Sequence, residues 1–97
     1  MKLGNRIKEL RESQGLLQRE LSADLEIDTP MFSKIERGER RAKREQVQKI
    51  AELLKVDTQE LLTLWLTDQV LEVVADEDQA LQALKNAIKD IETNKKD

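Results

Sequence analysis

Five basic side chains, Arg37, Arg40, Arg41, Lys43 and Arg44, crowd into eight residues of this chain. Like charges gathered so closely repel one another, and the simplest compensation is a polyanion such as a nucleic-acid phosphate backbone. Just upstream, Thr29, Pro30, Met31, Ser33 and Lys34 stand at the opening of a short helical pattern. Their chemistry suits base edges: Lys34 can donate to guanine acceptors, Thr29 and Ser33 offer hydroxyls, and Pro30 offers apolar surface to a thymine methyl. Gln18, at another helix start, can donate its amide to a phosphate beside free backbone N–H groups. Each feature also has a plain alternative. Thr29 and Pro30 make an ordinary helix start, Met31 serves equally to cover a contact between helices, and a glutamine or a charge run can simply be solvated.

Other chemistries are disfavoured by composition. The chain has 97 residues with no Cys and no His, so thiolate or imidazole metal sites, disulfides, a cysteine nucleophile and an imidazole base are excluded. Its 20 carboxylates could serve an enzyme only inside a cleft that so short a chain can hardly enclose. A non-enzyme is therefore expected, with no catalytic residue, metal, cofactor or small-molecule ligand. The opening MKLGNRIKELRE is charged throughout, and no later run is long enough to span a bilayer, so no membrane association and a cytoplasmic location are expected. The net charge of −3 hides a polarity: residues 1–44 carry +3 and residues 45–97 carry −6. A local basic patch matters more to a phosphate backbone than the overall sign.

The patterning that must position these groups is helical throughout, and an all-α fold is predicted. Leu3, Ile7, Leu10 and Arg11 share a stripe of a first helix from about Gly4 to Ser13, broken at Gly15. A second helix, about Leu17 to Leu25, is expected to turn Leu17, Leu21 and Leu25 inward with small Ser22 beside them. Asp28 is an N-cap for a third helix starting at Thr29, Pro30 fits its first turn, Phe32 and Ile35 are inward, and Gly38 ends it. A fourth helix, Arg44 to Leu54, buries Val47, Ile50, Ala51 and Leu54. Asp57 and Glu60 have capping-box spacing at the head of a fifth, which is expected to kink or break near Thr67 and Asp68. A last helix, Glu77 to Ile91, repeats Leu81, Leu84, Ile88 and Ile91, and either completes the core or zips onto another chain; Glu92 to Asp97 read as a frayed polar tail.

The stretch IKELRESQGLLQRELSADLEIDTPMFSKIERGERR, followed by VQKIAELLKVDTQELL, resembles the Cro/C1-type, or XRE-type, helix-turn-helix family. That resemblance covers about residues 3–66. It implies a lambda-repressor-like domain of five helices over residues 1–66, leaving a C-terminal helical extension, 67–92, and a polar tail, 93–97. It implies that Gln18, Thr29, Pro30 and Lys34 face DNA and that Arg37, Arg41 and Arg44 touch phosphates; by their own chemistry and place, Met31 and Ser33 join the candidate base readers, and Gln18, Arg40 and Lys43 the candidate phosphate contacts. It also implies an internal pair in which Arg11 braces Glu36, consistent with the place of each beside its helix's inward stripe.

Three positions depart from the family pattern. Leu17 stands where a capping Ser or Thr is usual, Glu26 where glycine is usual, and Lys43 where a proline normally steadies the exposed loop. The first costs helix 2 an N-cap of about 1 kcal/mol. The second carries strain of about 1 kcal/mol if its φ is positive. The third leaves the basic loop more mobile before it meets DNA.

The function expected is that of a bacterial or phage-type transcriptional regulator binding double-stranded DNA as a homodimer. The alternative is an adaptor or antitoxin-like component that docks a protein partner through its C-terminal helices. Trp65, Leu81, Leu84, Ile88 and Ile91 are the candidate dimer or partner surface in either case.

Overall fold

The row Leu3, Ile7 and Arg11 repeats every four residues, so one face of the first helix, α1 (Lys2–Ser13), is sealed against the rest of the chain. In the computed structural model, which describes residues 1–95, α1 is followed by α2 (Gln18–Asp24), α3 (Thr29–Glu36), α4 (Arg44–Leu54), α5 (Thr58–Val73) and α6 (Ala80–Lys95). Packing pairs α1 with α3, α4 and α5, α2 with α3, and α4 with α5. Phe32, Ile7, Leu21, Ile50, Leu54, Leu61 and Val47 are fully buried where these helices meet. Ile27, Val56 and Trp65 pack around them, half-buried.

Helix ends follow their local chemistry. Asp28 accepts from Met31 N–H at 2.7 Å and Asp57 from Gln59 N–H at 2.9 Å, starting α3 and α5. The capping box at Asp57 stays half-formed, because the Glu60 carboxylate is taken by Arg6 Nε at 2.7 Å. At the end of α4 the left-handed Lys55 turns the chain, and Gln14 Nε2 donates to the Leu54 carbonyl at 2.7 Å.

Several boundaries differ from the sequence pattern, each for a reason outside the local segment. α1 begins at Lys2, ahead of Gly4, because Asp68 of α5 accepts from the N–H groups of Lys2 and Leu3 at 3.0 Å each. Leu17 does not face inward. It is the extended residue preceding α2 and is 46% exposed, while its neighbour Leu16 packs on the core instead. α5 does not break at Thr67 and Asp68: the Thr63 and Thr67 hydroxyls donate to the carbonyls four residues back, and the Asp68 carboxylate is engaged with α1. The break comes later, in residues 74–79, where Asp76 takes a positive φ of 60°. A division between residues 66 and 67 therefore falls inside one continuous helix.

The last helix starts at Ala80, after Glu77, and continues past Ile91. The stretch from Glu92, expected to fray, is helical through Lys95; the rest of the tail, residues 96 and 97, lies outside the described residues. Among the described residues α6 supplies no side chain to the core.

Candidate nucleic-acid interface

The interface is built on the α2–turn–α3 unit. Leu21 and Ser22 of α2 are buried against Phe32 and Ile35 of α3, and the small serine lets the helices approach. Between them the chain reverses with Glu26 at φ 59°, a left-handed conformation that a non-glycine residue holds at a cost of about 1 kcal/mol. Ile27 N–H bonds to the Ser22 carbonyl at 3.0 Å and closes the turn. Ser22 Oγ and Thr29 Oγ1 share a hydrogen bond of 3.1 Å, so the Thr29 hydroxyl, half-buried, is engaged with α2. Pro30 and Lys34 are exposed and one helical turn apart, while Met31 and Ser33 are half-buried beside them. The outward chemistry of α3 is thus led by Pro30 and Lys34.

Beneath α3 lies a buried polar cluster. Arg11 Nε donates to Glu36 Oε2 at 2.7 Å and Nη2 to Oε1 at 3.2 Å, with the side chains only 9% and 2% exposed. The hydrogen bond to Glu36 holds the Arg11 guanidinium above its ordinary pKa, against the opposing effect of burial. Arg11 Nη1 also donates to the Leu16 carbonyl at 2.9 Å, tying the α1–α2 connection to the same group. Gln18 Nε2 donates to Glu36 Oε1 at 2.9 Å, which fixes the amide at the head of α2 and leaves its second N–H free to face a ligand. Gly4 completes this seat: a Cβ there would overlap the carbonyl oxygen of Glu36, so α1 can run this close to the end of α3 only without a side chain. Among the described residues no buried side-chain polar atom lacks a partner.

The basic segment leaves α3 through Gly38, whose φ of 76° suits glycine. Arg37 is turned back on its own element, donating to Ser33 Oγ at 2.6 Å and to Glu39 at 2.7 Å. This pairing raises the Arg37 pKa and, through the hydrogen bond from Arg37, lowers that of the Glu39 carboxyl. Both side chains are about half exposed, so a phosphate can compete for Arg37 with little loss. Arg41 Nη2 meets Glu72 of α5 at 2.6 Å, and Arg44 lies over the ring of Trp65, 5.0 Å from its centroid. Arg40 and Lys43 are exposed and, among the described residues, in no ion pair.

A shallow hollow brings Gln18, Ser33, Glu36 and Arg37 together with Asn5 and Lys8 of α1. Those two α1 residues are absent from the set singled out by sequence, although Asn5, Lys8 and Arg11 follow one another at three-residue spacing on one side of a helix. Trp65, grouped by sequence with the partner surface, is engaged within the chain: its indole N–H donates to the Ala42 carbonyl at 2.8 Å. Leu81, Ile88 and Ile91 remain exposed on α6, and Leu84 is half-buried. Among the described residues no group of His, Cys, Asp or Glu is placed to hold a metal, and no helix is long and apolar enough to cross a membrane.

No curated protein and no solved structure matches the chain. Residues 7–61 do match a family, described as helix-turn-helix, and that stretch contains the whole α2–turn–α3 unit together with Arg11, Glu36 and the basic segment. With more than half its length covered, the chain belongs to the helix-turn-helix family of the XRE or Cro/C1 type, whose domain implies a DNA-binding regulatory role.

Proposed function

We propose that the protein is a sequence-specific, double-stranded-DNA-binding transcriptional regulator with a lambda-repressor-like body, acting by binding and without catalysis. The observation that carries this reading is the exposed pair Pro30 and Lys34 on a capped, braced α3, flanked by the Gln18–Arg37 hollow on one side and the arginine-bearing loop beyond its end. In this reading α3 enters the major groove, with Pro30, Lys34 and Ser33 nearest the bases, Met31 beside them, and Thr29 contributing through the position its bond to Ser22 imposes. Gln18, Arg37, Arg40, Arg41, Lys43 and Arg44 set register and affinity on the phosphates, joined by Lys8. Arg37 and Arg41 exchange Glu39 and Glu72 for phosphate oxygens as they do so.

Two copies would place two such helices in successive major grooves of a palindromic operator. The apolar residues left exposed at the end of α5 and along α6, among them Leu66, Val70, Leu71, Leu81 and Ile88, favour a homodimer joined there. The same residues favour a second reading, in which a different protein seats on them and DNA binding is secondary. Light scattering on the purified chain at micromolar concentration separates the two: a dimer supports the first, a monomer the second. The DNA reading is tested with a library of duplexes at two salt concentrations. Selective, salt-sensitive binding is expected; equal affinity for all sequences removes the specific reader, and no binding at low salt removes the DNA role altogether.

A further inference from the structure

The basic loop has few anchors. Of residues 39–44 only Ala42 is buried, and a hollow of about 120 Å³ lies beneath the segment, lined by Gly38, Arg41, Ala42, Trp65 and Glu72 among others. Close packing alone therefore does not fix its backbone. Its local bonds sit at the two ends: Glu39 N–H to the Lys34 carbonyl at 2.9 Å, Lys43 N–H to Gln46 Oε1 at 2.8 Å, and Val47 N–H to the Lys43 carbonyl at 3.0 Å. The tie that reaches the loop backbone from α5 is the indole of Trp65, which donates to the Ala42 carbonyl at 2.8 Å while its ring carries the guanidinium of Arg44 at 5.0 Å. A single side chain thus holds a backbone carbonyl and the basic group two residues later, with Lys43 between them.

We propose that Trp65 is a positioning residue for phosphate contact: it presets the direction in which Arg40, Lys43 and Arg44 leave the loop, without touching DNA itself. The inference rests on the DNA reading above. Its physical content is preorganisation. A loop held in one conformation gives up less freedom when its side chains meet an anion, and a loop released from that hold no longer delivers every one of them to its phosphate. The indole suits the task because its N–H is a donor only, directed at the carbonyl. Its π face holds Arg44 by electrostatic attraction without neutralising it, so the guanidinium, exposed as it is, keeps its charge for a phosphate.

The test compares the wild-type chain with Trp65→Phe, which keeps an aromatic ring and removes the N–H, on a duplex selected from the library. Affinity should fall about fivefold, the size of effect that one lost hydrogen bond produces. The slope of log K against log salt should flatten by about one unit, as one phosphate contact is lost, while the order of preference among duplex sequences stays unchanged. A merely structural tryptophan would lower thermal stability and leave the salt slope alone. A folded variant with wild-type affinity and slope therefore overturns the proposal, as does one whose sequence preference changes at constant slope.

A second arm needs no variant. Trp65 is the only Trp and the chain has no Tyr, so intrinsic fluorescence reports this one contact. Its emission should shift when saturating duplex draws Arg44 toward phosphate, and unchanged emission at saturation counts against the proposal whatever the variant does. If the wild-type chain binds no duplex at low salt, the DNA reading itself has failed and this inference falls with it; if it binds and both arms show no change, only the role of Trp65 fails.

Discussion

α4 and α6 carry nearly the same aliphatic script and meet opposite fates. α4 repeats Val47, Ile50, Ala51 and Leu54, all of them inaccessible to solvent; α6 repeats Leu81, Leu84, Ile88 and Ile91, of which three remain more than half exposed. Periodicity states that a helix has an apolar face, and says nothing about what lies opposite it. α4 follows a seven-residue connection that returns it onto α1 and α5, whereas α6 follows a turn through the left-handed Asp76, and its row, Leu84 apart, stays exposed among the described residues. A body of five helices and an extension with its face unpaired are thus written in one alphabet.

This contrast can be broken most sharply by shortening matched side chains. Leu54→Ala removes methyl groups from a site with no solvent contact and should cost about 2–5 kcal/mol in chemical denaturation. Ile88→Ala, at a position 55% exposed, should change the stability of the isolated chain by less than about 0.5 kcal/mol. Equal losses at low protein concentration would show that α6 belongs to the body after all. A loss at Ile88 that grows with concentration would instead report assembly through that face.

The next effect in size separates buried polar contacts from exposed ones. Arg11→Ala leaves Glu36 charged, nearly sealed from water, and bonded only to Gln18, so a loss of about 3 kcal/mol is expected together with weaker DNA binding. Wild-type stability in that variant would remove the brace beneath α3. Arg41, by contrast, meets Glu72 at the surface, and Arg41→Ala should leave unfolding almost unchanged while weakening binding to every duplex alike.

Much of the body is legible in the sequence because its signals are local. Asp28, Pro30 and Gly38 bound α3 within eleven residues, and the inward stripes of α1 and α4 can be read by spacing alone. What is hidden is carried by pairs far apart in sequence. The contact of Trp65 with Ala42 spans 23 residues, and that of Asp68 with Lys2 spans 66, so no window of helical periodicity contains either. The same holds within the site. Gln18 is legible as a helix start, but its bond to Glu36 depends on how α2 is laid across α3, and Asn5 and Lys8 join the hollow only through the seat made by Gly4. The break allowed for at Thr67 and Asp68 shows the cost of judging a polar pair by its neighbours: the hydroxyl is satisfied inside α5, and the carboxylate serves another helix.

Asp68 is also where the body ends along α5, since it is the last buried residue among those described. Its two oxygens each accept one N–H at the start of α1, groups that have no partner within their own helix. In Asp68→Asn one acceptor oxygen remains and the amide nitrogen faces the other N–H, donor against donor, so a loss of about 2 kcal/mol is expected, with fraying of the first turn of α1. Val70→Ala, two residues further and 42% exposed, should cost less than about 0.5 kcal/mol. Hydrogen exchange at Lys2 and Leu3 checks the mechanism: those amides should lose protection in the asparagine variant and keep it in the alanine variant. If the alanine variant loses as much stability as the asparagine one at low concentration, the boundary lies further along α5, and the bare apolar residues beyond Asp68 have a partner inside the chain.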